Sequence, residues 1–209
     1  MARVNGPSRD ELDARGREFA GRVERAIHTT LRAVAADTRV VDDLARIQTI
    51  WNGVVTKSLM PRLFIAWNTA VDGVREQLEK LNERQPEALI AAVFEIPKVS
   101  NPLAETFLST AQNRLSALGD HVWYTARGEM ITGMQLGEGV AELRDRVITS
   151  ANISIPRATT IARTEVNSAM NNGAYEQMKA LGVPTIKEWI ATNDSRTRES
   201  HEEVDGEEI

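Results

Sequence analysis

No cysteine occurs among the 209 residues. That excludes an intrachain disulfide framework, a thiolate metal site, an iron–sulfur cluster and a Cys nucleophile. Aromatic residues are scarce, at 5%, so a core has to rest mainly on Leu, Ile, Val and Ala. Such a composition favours helix-on-helix packing over a β-sandwich, whose strands draw on β-branched and aromatic side chains. No apolar run approaches the ~18 residues of a membrane-spanning helix. Met1 to Ser8 lacks the apolar stretch of a secretory signal, so the chain reads as soluble, with no membrane partner. A phosphate-cradling glycine loop, a dinucleotide fingerprint and a nucleophile elbow are all missing.

Lysine is also sparse, five residues against 20 Arg. Arg suits fixed two-pronged contacts to carboxylate or phosphate, although host codon bias gives the same ratio. The net charge of −5 is concentrated at one end: residues 194–209 hold seven acids against Arg196 and Arg198, and the rest of the chain is balanced. A neutral body with an acidic end is not the footprint of a protein that wraps DNA by bulk electrostatics. Hydrophobic residues at 42% and charged residues at 26% describe an ordinary globular chain.

The periodicity predicts a mainly α protein. Ser8 and Glu11 form a capping box, and Leu12, Gly16, Phe19, Val23, Ile27, Thr30 and Val34 continue an amphipathic helix to about Asp37. A second helix is expected from Val40 to Leu59. A third carries Phe64, Trp67, Val71, Val74, Leu78 and Leu81 after Pro61, and a short helix is expected from Pro86 to Phe94. The longest stripe, Leu103 to Met130, makes a rod of roughly 45 Å if Gly119 and Gly128 do not break it. Gly133, Gly137 and Gly139 then loosen the chain before a short helix around Val140–Ile148. Asn152 to Pro156 is expected to be a connector, because residues before proline avoid the helical region. The next helix runs to about Leu181 with a small apolar stripe through Thr159, Ala162, Val166, Ala169, Met170 and Gly173. Gly182 ends it, and Thr185 to Thr192 reads as a strand. The fold class that follows is an elongated N-terminal helical bundle, residues 1–136, and a small C-terminal α+β unit of helix, strand and turn, residues 137–209.

The densest run of polar residues extends from Asp194 to Gly206. Three readings compete for it. Asp194, His201 and Asp205 could ligate a divalent metal, although their spacing matches no standard motif. His201 and a carboxylate could serve as general acid and base. Alternatively, Arg196 or Arg198 pairs with Glu165 of the preceding helix in a hydrogen-bonded knot, with Arg163 meeting Asp194. His28 and His121 stand alone on helices and read as partly buried fillers.

Residues 137–206 resemble the phage head morphogenesis family typified by the Mu F-like minor head proteins. Three pieces carry the resemblance in order. The helix Gly139 to Arg144 is similar to the family's glycine-led helix. The run Ala162-Arg163-Thr164-Glu165, continuing to Asn167 and Asn171-Asn172-Gly173, is similar to its Ala-Arg-Thr-Glu helix. Lys187 and Trp189, followed by Asp194, Arg196, Arg198, His201, Asp205 and Gly206, resemble its Lys-x-Trp strand and Arg-rich segment. The resemblance implies a bacteriophage minor capsid protein, non-enzymatic and without cofactor, located in the virion inside the head at the portal vertex and in host cytoplasm during assembly. It would assist head assembly and DNA packaging or ejection. Its implied partners are the portal protein, other copies of itself, and packaged DNA or the major capsid protein. Relatives continue past the Asp-Gly pair, so the family domain is expected to be incomplete here. Two alternatives stay open: a metal-dependent hydrolase or nuclease using Asp194, His201 and Asp205, and a DNA-binding internal head protein. The family's domain also occurs fused to toxin modules, a reading ranked below these because nothing in the chain resembles an added catalytic domain.

Overall fold

A computed structural model describes residues 4–36, 44–84, 99, 101–181, 199–204 and 206–207. Its helices are α1 (Arg9–Ala36), α2 (Leu44–Val54), α3 (Met60–Arg84), α4 (Asn101–Gln135), α5 (Val140–Thr149), α6 (Ala151–Ala180) and the single turn α7 (Glu199–Glu202). The protein is mainly α, and among the described residues there is no strand. The strand expected at Thr185–Thr192 and the helix expected at Pro86–Phe94 both lie outside the described residues.

The N-terminal boundary follows from the capping box: Ser8 N–H donates to Glu11 Oε2 at 3.1 Å, and Glu11 N–H donates back to Ser8 Oγ at 3.2 Å. The apolar stripe of α1 is buried as its spacing requires, with Phe19, Val23, Ile27, Leu31 and Val34 inside. Pro61 does not separate two helices. α2 and α3 are joined by a π-helical turn, Val55–Leu59, in which Met60 N–H bonds Val55 O. Proline lacks the N–H that Lys57 O would accept in an α-helix, and widening the turn ahead of it lets the helix continue.

One open expectation is resolved and another is corrected. α4 is unbroken across Gly119 and Gly128; its 35 residues span about 52 Å. The segment Asn152–Pro156 is not a connector but the start of α6, with Pro156 inside the helix. The burial of Ala151, Ser154 and Ala158 against the core outweighs the local cost of proline, which removes the one intrahelical donor that Asn152 O would accept. The glycines after Met130 likewise build a tight α4–α5 turn rather than a loose one. Gly137 adopts φ +74°, Gly137 N–H bonds Met134 O at 3.1 Å, and Gly139 is the N-cap of α5.

α6 is the central element. It packs along both α1 and α3 and also against α4. The residues it buries are mostly small, including Ala151, Ala158, Ala162, Ala169, Gly173 and Ala174, so neighbouring helices approach closely. At Gly173 a Cβ would stand 2.5 Å from the carbonyl oxygen of Trp67. Only glycine admits that contact. The buried residues on both sides of residue 136 belong to one hydrophobic core.

Two indole N–H groups anchor the rod formed by α2 and α3. Trp51 donates to Leu115 O of α4 at 2.8 Å, and Trp67 donates to Asn172 Oδ1 of α6 at 3.0 Å. Both side chains are fully buried. A buried indole left without an acceptor would cost roughly 1–3 kcal/mol, so these bonds fix which turns of the three helices face one another.

Candidate functional site

The polar residues of the Ala162–Glu165 run point in different directions from one helix. Ala162 is buried. Thr164 Oγ1 donates back to Thr160 O at 2.9 Å. Arg163 reaches α1, where its stem crosses Gly16 and its Nη2 donates to Asp13 Oδ1 at 2.8 Å. Glu165 turns inward and is 1% exposed. Arg114 of α4 closes on it with both prongs, Nε to Oε1 at 2.5 Å and Nη2 to Oε2 at 2.6 Å. The guanidinium remains half exposed to solvent, and its bonds to the Glu165 carboxylate raise its pKa further above the usual range.

These pairings were not expected from the sequence. Glu165 is paired with Arg114 and Arg163 with Asp13, while the partners expected for them, Arg196 or Arg198 and Asp194, lie outside the described residues. The reason is the packing of α6: its neighbours α1 and α4 present their own charged groups to these two side chains. Arg114, Asp13 and Gly16 were not singled out as partners from the sequence. Gly16, standing in the middle of the apolar stripe of α1, is the one signal of a close approach that could have pointed to α1. Arg114, one residue before the buried Leu115, gave none.

Further along α6, Asn172 accepts the Trp67 indole, and buried Gln177 accepts Val99 N–H through Oε1 at 3.1 Å. Asn167 is half-buried, and its Oδ1 has no hydrogen-bond partner among the described residues. His121 is shifted to lower pKa by burial and, secondarily, by the charge of Arg157.

Lys187, Trp189, Asp194, Arg196, Arg198 and Asp205 lie outside the described residues, as does the side chain of His201. What is described of that region is α7, a Glu203 N–H to Glu199 O bond of 3.0 Å, and Gly206 at φ +82°. Among the described residues no three His, Asp or Glu side chains converge as a metal site. No described helix is long and apolar enough to cross a membrane.

Two open grooves mark the surface. One, of about 570 Å³, lies between α1 and α2. The other, of about 470 Å³, is bordered by the α4–α5 turn and the start of α6. At the second groove Arg146 joins the elements: its Nε and Nη2 reach Glu138 at 2.9 and 2.6 Å, and its Nη1 reaches Glu129 at 2.9 Å.

Residues 125–209 match the family described as phage Mu protein F like protein. This part of the chain is similar to that family. The match takes in the end of α4, α5, α6 and the acidic end, and leaves out Arg114, Asp13 and Trp67, so α6 finds these partners in stretches of α4, α1 and α3 that precede the matched region. The chain is also 34% identical over 114 residues to NAD(+)–arginine ADP-ribosyltransferase EFV of Enterococcus faecalis; the shared stretch is 53% of this chain and 23% of that relative. The chain therefore spans about a quarter of that relative's length. No solved structure gives a significant match.

Proposed function

We propose that this Mu F-like phage head protein is a non-enzymatic minor capsid protein of the portal vertex, where it assists head assembly and the packaging or ejection of DNA. The observation that carries the reading is the match of residues 125–209 to the Mu F-like family. It is supported by the use of the motif helix, whose Arg163 and Glu165 tie helices together rather than line a cleft. Long helices around a single core supply a rigid body for docking on the portal protein, on other copies of the chain, or on the major capsid protein.

Quantitative mass spectrometry of purified phage particles, normalised to the portal subunit, tests this proposal. A small fixed ratio to portal is expected. Absence from mature particles would overturn it and redirect attention to a transient assembly role or to chemistry at Asp194, His201 and Asp205. In that case metal content and the activity of His201→Ala would decide.

The similarity to a relative named as an arginine ADP-ribosyltransferase favours a second reading, in which the chain transfers ADP-ribose from NAD to arginine. The shared stretch is a minor part of that relative, so the transferase reading stands behind the first. Labelling of an arginine-containing acceptor by the purified chain with NAD would bring it forward.

A further inference from the structure

The chain's charge is segregated along its sequence. Its net charge of −5 lies wholly in residues 194–209. The groove between α1 and α2 has the opposite character, being lined by Arg22, Arg25 and Lys57 together with the hydroxyls of Thr29, Thr49 and Ser58, and, among the described residues, by no carboxylate. Arg22 leans on Glu18, with Nη2 3.0 Å from Oε1. Arg25 and Lys57 are exposed and have no ion-pair partner among the described residues. Lys57 and Ser58 sit on the π turn, the one irregular turn of the α2–α3 rod. The wall stays open at Gly53, where even an added Cβ would meet nothing within 4 Å.

We propose that this groove receives the acidic C-terminal segment, Glu199 to Glu207, of a second copy of the chain. The Glu203 N–H to Glu199 O bond is one helical turn, so these two carboxylates fall on one face four residues apart and can address Arg25 on one wall and Lys57 on the other. Among the described residues α7 makes no extensive contact with another helix, and Glu199, Glu203 and Glu207 are exposed, which leaves them available to another molecule. A duplex nucleic acid is the poorer occupant, because the balanced charge of the body supplies little of the extended attraction that phosphate backbones require. The two surfaces differ, so the contact is head to tail, the kind that generates closed rings or filaments rather than two-fold dimers. This goes beyond the portal-vertex reading and holds or fails independently of it.

Sedimentation of the full chain over a range of concentrations tests the proposal. The average mass should rise with concentration at low salt and return to the monomer at roughly 1 M salt, where the Debye length is about 3 Å. Arg25→Glu with Lys57→Glu should weaken association about tenfold or more, as should Glu199→Lys with Glu203→Lys and Glu207→Lys, each with unchanged helical circular dichroism. An equimolar mixture of the two variants should form more assembly than either alone if opposite reversals meet at one junction, because the reversed groove and the reversed segment are complementary again. A wild-type chain that is monomeric at every concentration, as it would be if the segment folded onto its own groove, would overturn the proposal. So would groove reversal that abolishes binding of duplex DNA but leaves association intact.

Discussion

Arg114 and Arg146 each turn two guanidinium nitrogens onto one glutamate, at 2.5 and 2.6 Å for Glu165 and at 2.9 and 2.6 Å for Glu138. The geometry is nearly shared, but the surroundings are not. Glu165 is sealed between α4 and α6 with its side chain 2% exposed, whereas Glu138 sits at the α4–α5 turn with 22% exposure; the arginines differ the other way, Arg114 being 47% exposed and Arg146 27%. Removing water from one carboxylate makes the first pair conditional: with Arg114 present the charge is satisfied, and without it the charge is stranded. The second pair can exchange its bonds for water. The two clasps show that burial of the carboxylate, more than the shape of the fork, sets what a salt bridge is worth.

The largest effect should come from the buried side of this comparison. Arg114→Met is expected to lower unfolding stability by about 3 kcal/mol, the cost of breaking a buried pair from one side. Adding Glu165→Met should recover most of that loss, because the stranded charge is then gone. Urea denaturation of the single and double variants checks both steps, and a double variant as unstable as the single would break the desolvation argument.

Asp13→Asn provides the middle case. Its bond to Arg163 joins α1 to α6 across 150 residues of sequence, but the two side chains are 35% and 47% exposed. A change within about 1 kcal/mol is expected. A loss comparable to that of Arg114→Met would mean that sequence separation, rather than burial, governs these ties.

The smallest effect is expected at Glu138. Hydrogen bonds from Arg146 hold its carboxyl below the usual range. A carboxylate with a lowered folded-state pKa contributes its stability above the unfolded-state value and loses it as the pH falls through the folded-state value. Glu138→Gln should therefore change the neutral-pH melting temperature little, and the wild-type and variant curves should converge below pH 4.5, the ordinary value. Thermal melts across that range are the check.

Periodicity carried much of the fold. The stripe of α1, the long stripe of α4 apart from exposed Leu103, and the small apolar face of α6 went largely into the core, and the capping box closed as its spacing demands. The local punctuators said less, and Pro156 misled. Pro61, Pro156 and Gly119 each lower helix propensity by themselves, but each is accommodated by something distant in sequence or by the next turn: a π turn ahead of Pro61, burial of Ala151 and Ala158 around Pro156, and the indole of Trp51 lying against Gly119. The candidate site was legible as a helix bearing Arg163 and Glu165, but not in its pairings.

By itself, then, the sequence determined which residues turn inward on each helix, because burial repeats every three or four positions and needs no knowledge of the neighbour. It also determined the acidic end and the Mu F-like pieces. The tertiary structure alone decided that Glu165 belongs to Arg114, Arg163 to Asp13, and Asn172 to Trp67. Partner choice depends on which helices pack against α6 and at what height. Those quantities are fixed by close approaches such as Trp67 over Gly173, which join positions more than a hundred residues apart and leave no periodic trace in either helix.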